Sequence, residues 1–124
     1  MVAGRPMLTG MSLAADPVLT LPERKRREAE QRTRAAAPIC DALADYGRRE
    51  GGRFLVFGSA AAGTLHARSD LDVIVDVPRE GESRAQAFVE DLAQVHGMPL
   101  DLHVLGSLTP GFLEIVGPGM RVLP

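Results

Sequence analysis

Along this chain the spacing of apolar residues shifts between helical and strand-like, and each shift predicts an element. From Glu23 to Arg34 nearly every position is charged or polar, with no apolar face to bury. Thr20 and Glu23 stand at capping-box spacing and Pro22 is tolerated in a first turn, so a helix is expected to begin at Thr20. Pro38 is expected to kink or restart it. Beyond Pro38, Ile39, Leu43 and Tyr46 recur at helical spacing and form a stripe that can dock on a sheet. Gly51-Gly52 closes the helix.

Phe54-Leu55-Val56-Phe57 is apolar throughout and predicts a short strand buried on both faces. A second strand is expected from Asp70 to Asp76. Residues at i and i+2 of a strand share a face, so Asp70 and Asp72 project one way and Leu71, Val73 and Val75 the other. Ser83 to His96 reads as an amphipathic helix with Phe88, Leu92 and Val95 on its inner face. Leu100 to Leu105 alternates again, with Asp101 and His103 opposite Leu100, Leu102 and Val104. Thr109 to Val116 suits a last short helix, and Gly117-Pro118-Gly119 turns into a closing strand, Met120 to Leu123. The expected architecture is α+β: a small mixed sheet of about four strands with flanking helices.

Length and composition narrow the picture. A chain of 124 residues suits one domain overall, divided here into a loose leader (1–19), a helical segment (20–50) and a core (51–124). Met7 and Met11 leave a later start open. Apolar residues at 45% and charged residues at 24% are ordinary for a soluble globular protein. A net charge of −2 exerts no global pull on nucleic acid or an anionic membrane. The helix over 23–34 carries six basic and three acidic residues. It reads either as a grip on nucleic acid or an acidic partner, or as a solvated helix with mixed i,i+4 pairs. Without interleaved aromatics for base stacking, the second is preferred and no direct nucleic-acid binding is expected. One cysteine, Cys40, fits a packing role and a cytoplasmic location, and no secretory signal or membrane span is expected.

The chemistry concentrates between Phe54 and Asp76. Gly58 ends the first strand at a position where a Cβ is a hindrance, and Ala60 to Ala62 favour a helical turn starting at Ser59. Backbone N–H groups there, with the Ser59 hydroxyl, suit a phosphate. Asp70 and Asp72, with Cα atoms about 6.5 Å apart, repel by about 2–4 kcal/mol and invite a divalent cation held by oxygens. If the Asp101 strand lies beside theirs, Asp101 joins them. His66 reads as a loop residue, and His103 as a sheet-face residue satisfied by a neighbour.

Gly58-Ser59, ten intervening residues, then Asp70-x-Asp72 and an apolar run resembles the signature of the DNA polymerase β-like nucleotidyltransferase superfamily. Within it the chain is most similar to the minimal nucleotidyltransferases that act as antitoxins beside HEPN-domain toxins. The resemblance spans roughly Arg53 to Leu123 and takes Pro99 to Val104 as the strand of the third carboxylate. It implies a polymerase-β-like fold, two Mg²⁺ ions on Asp70, Asp72 and Asp101, and these same three as catalytic residues. It also implies a nucleotide-binding set of Gly58, Ser59, Arg68 and Ser69, with ATP as substrate. Many family members have arginine where this chain has Ala60 and Ala62, and the cations left nearby to substitute are Arg68 or His66 in the following loop.

The expected function is transfer of AMP from ATP to a hydroxyl of a partner protein, neutralising a HEPN-type ribonuclease toxin. The small core leaves little of the chain for a dedicated acceptor pocket, which favours a protein acceptor. Two alternatives stand beside it. One is a small-molecule, aminoglycoside-type nucleotidyltransferase completed as a homo-oligomer; the other is a non-catalytic module with the same fold.

Overall fold

The computed structural model describes residues 19–124, so the expected leader falls almost wholly outside the described residues. Helix α1 (Leu21–Glu50) opens on a capping box in which the Thr20 hydroxyl accepts from the Glu23 N–H and the Glu23 carboxylate reaches back to the Thr20 N–H. It closes on Gly51 in the left-handed region at φ 79°. Pro38 does not restart the helix, which is continuous through it. Residues 21–34 are exposed apart from partial cover at Ala29 and Arg32. Beyond them Ile39, Leu43 and Tyr46 are buried, the stripe the pattern predicts, and Ala36 is buried with them.

The chain then runs through β1 (Arg53–Phe57), α2 (Gly58–Ala62), β2 (Leu71–Asp76), α3 (Glu82–Val95), β3 (Leu100–Val104), α4 (Pro110–Val116) and β4 (Arg121–Val122). The sheet order is β3-β2-β1-β4. β1 pairs antiparallel with β2 and β4, while β2 and β3 run parallel, joined by the α3 crossover. This mixed four-stranded sheet with helices is the α+β architecture expected.

Both faces of the sheet are covered. Phe54, Val56, Leu71, Val73 and Val75 pack under α1 and α3, where Tyr46 lies edge-on to Phe54 and stacked on Phe88. Leu55, Phe57 and Ile74 face the other way, against Phe112 and Val116 of α4 and Met120. On α3 the buried line is Ala85, Val89 and Ala93, with Phe88 and Leu92 beside it. Val95 is 79% exposed, contrary to the pattern, because two positions past Ala93 is about 200° around a helix. Cys40 packs against the core; burial pushes its thiol up, aided by Asp41 and opposed by Arg121. That keeps it protonated and unreactive, as a packing residue should be.

Candidate functional site

The end of β1 and the starts of β2 and β3 meet at one end of the sheet. In the parallel ladder Asp72 is the register partner of Asp101, and across β1 it is the partner of Phe57. The alternation that sends Leu71, Val73 and Val75 into the core turns Asp72 and Asp101 to the opposite face together. The two carboxyl groups are close enough to share a hydrogen bond. Burial pushes the Asp72 carboxyl from 3.8 up to about 6. The charge of Asp101, its hydrogen bond and the charge of Asp70 push the same way, and His103 opposes them.

Asp70 is placed differently from the expectation. β2 begins at Leu71, whose N–H donates to the Pro99 carbonyl, so Asp70 precedes the strand and is exposed. Among the described residues no three His, Cys, Asp or Glu side chains stand ready to hold one metal ion. The closely joined set is therefore Asp72 with Asp101, and Asp70 stands beside it. Its donors suit a hard cation: two carboxylates held together against their own repulsion gain by sharing a divalent ion on oxygen. Asp72 and Asp101 are the oxygen donors that would suit magnesium.

Gly58 is built against this pair. Its φ is +67°, and a Cβ placed there would lie 2.6 Å from Asp72 Oδ2. Only glycine allows the turn and the carboxylate to come so near. The turn runs into α2, which Gly63 closes at φ +73°. Ser59 does not cap α2. Its hydroxyl donates to Ser69 Oγ at 3.2 Å, and the same oxygen accepts from the His66 N–H at 2.7 Å. Ser69 is 3% exposed, so it braces the loop before Asp70 from inside. Arg68 is exposed in that loop.

His103 belongs to the site although its spacing alone suggested a satisfied sheet-face residue. Its Nε2 lies 3.3 Å from Asp101 Oδ2 without hydrogen-bonding geometry, and so is buried without a hydrogen-bond partner. Its ring lies 5.8 Å from Phe57 and 5.2 Å from Phe112. The signal was present, since His103 is two residues from Asp101 on the same strand face.

A pH dependence follows. The folded-state pKa of Asp72 lies above its ordinary value, so between about pH 4 and 6 the folded protein binds more protons than the unfolded chain. Asp72 then costs stability as pH rises through that window, and the cost is fully present above about pH 6. In chelator, the melting temperature of Asp72→Asn relative to wild type should climb from pH 4 to 7. A flat difference would contradict the assignment.

Searches among curated proteins and among solved structures returned no match. A family description, the nucleotidyltransferase domain, matches residues 39–117, more than half of the chain.

Proposed function

The chain belongs to the nucleotidyltransferase domain family, and on that premise we propose that it moves AMP from ATP to a hydroxyl of a partner protein. The partner is a HEPN-type ribonuclease toxin, which the modification silences, so the chain acts as its antitoxin. The observation that carries the transfer reading is the register pairing of Asp72 with Asp101 directly against the Gly58 turn.

Asp72 and Asp101 would hold Mg²⁺, with Asp70 joining them. Bound there, magnesium supplies positive charge to the phosphates and to the attacking and leaving oxygens. The Gly58 turn brings backbone close to the carboxylates without a Cβ in the way, so phosphates can lie beside both. Asp101, more exposed than Asp72, accepts the proton of the incoming hydroxyl. The hydroxyl oxygen bonds to the α-phosphorus, the bond from that phosphorus to the bridging oxygen breaks, and pyrophosphate leaves with the electron pair. His103, wedged between Phe57 and Phe112, holds the Asp101 side of the pair in place. Most of the acceleration is placement and charge stabilisation.

A protein acceptor is supported by the surface beside the turn. Phe57, Ala61, Ala62, Ile115 and Val116 line an open cleft of about 410 Å³ that includes Gly58, and Ile115 is 82% exposed. Exposed apolar surface next to a reactive centre suits a protein partner. A second reading, the non-catalytic module, is favoured by one observation: α2 carries no basic residue.

Mass spectrometry of the partner after incubation with the chain and Mg-ATP separates the two. A partner heavier by one AMP, and unmodified when magnesium is chelated, is the expected result. A tightly bound partner of unchanged mass supports the module.

A further inference from the structure

The structure has a cavity that the carboxylate pair leaves unexplained. It measures about 630 Å³ and lies between the first turns of α1 and the loop that leads into β2. Arg24, Lys25 and Arg26 line it from the helix and His66 and Arg68 from the loop, with Glu28 as the opposing carboxylate. Its size is that of a small-molecule pocket. The side chains of Arg24, Lys25 and Arg68 enter no ion pair among the described residues. Cations gathered around a concave wall raise the local potential and favour a multiply charged anion.

The cavity and the site share this loop. Ser69 bonds Ser59, and Arg68 is two residues before Asp70, so their Cα atoms are within about 7.6 Å. The family match begins at residue 39, which leaves Arg24, Lys25 and Arg26 outside it. Inside it, α2 supplies no cation beside the Gly58 turn.

We propose that this cavity holds the β- and γ-phosphates of the nucleotide donor, on Arg68 from the loop and on Arg24 and Lys25 from α1. The assignment rests on the nucleotide-donor reading above. Guanidinium groups take phosphate oxygens two at a time and the lysine adds a point charge. When the bond from the α-phosphorus to the bridging oxygen breaks, the electron pair goes to pyrophosphate, and these cations meet the charge it gains. A helix outside the family core thus supplies what α2 lacks.

Calorimetric titration with inorganic tripolyphosphate tests this on the full chain, comparing wild type with R24A/K25A, R68A, R68K and, as a control elsewhere on α1, R34A. The expected result is binding weakened at least tenfold in R24A/K25A and R68A, within about twofold of wild type in R34A, and largely kept in R68K. ATP should compete with tripolyphosphate and AMP should not. Binding unchanged in R24A/K25A or R68A, with melting temperatures intact, overturns the site. Tripolyphosphate held by these residues without competition from ATP overturns its assignment to the donor. Transfer by R24A/K25A at the wild-type KM for ATP also overturns it, while leaving the nucleotidyltransferase reading standing.

Discussion

Asp72→Asn should lower nucleotide transfer by roughly a thousandfold or more while leaving the fold intact. The carboxylate it removes pairs with Asp101 in the ladder and pushes against it, so in the absence of metal the wild-type site is under electrostatic stress. The variant loses that stress together with the charge that attracts magnesium. Two readouts should therefore move oppositely. Without metal the variant melts at or above the wild-type temperature, and with MgCl2 only the wild type gains stability. Asp101→Ala and Asp70→Asn should also lose transfer. Full activity in any of these variants removes that residue from the mechanism, and a magnesium-induced gain in Asp72→Asn that equals the wild type's removes the pair as the metal site.

Gly58→Ala should cost at least a hundredfold in transfer, and Gly63→Ala very little. Both glycines have positive φ, so alanine brings about 1–2 kcal/mol of backbone strain to either. They differ in what the new methyl meets. At Gly63 nothing lies within 4 Å, whereas at Gly58 the methyl falls 2.6 Å from Asp72 Oδ2. The carboxylate must swing away or the turn must open, and a displacement of about 1 Å at a reacting centre costs about a hundredfold. Melting curves and transfer assays on both variants separate strain from crowding. Equal activity losses in the two would show that close approach to Asp72 is not what Gly58 is for.

Much of this was legible in the residues, for local reasons. A capping box needs only four positions, and the Thr20–Glu23 box forms as its spacing predicts. Strand alternation needs only two, and it put Asp72 and Asp101 on faces that coincide once β2 and β3 pair. What was not legible depends on neighbours along the fold. Whether Asp70 lies inside β2 is decided by where the ladder starts, and it starts one residue later, at Leu71. Hydrophobicity alone points Val95 inward, but its angle around α3 turns it to solvent, and the small Ala85 and Ala93 form the buried line with Val89. Of the kink or restart expected at Pro38, the restart does not occur, because the helix continues through it. The importance of His103 depended on Phe57 and Phe112, which arrive from β1 and α4.

Asp72 and Asp101 stand side by side on neighbouring parallel strands, yet the chain between them runs through the whole of α3. Their meeting waits on loop closure, among the slower events of folding, whereas Gly58 and Asp72 come together through the nearer antiparallel pair. Until β3 docks on β2, the chain has the bend but not yet the pair.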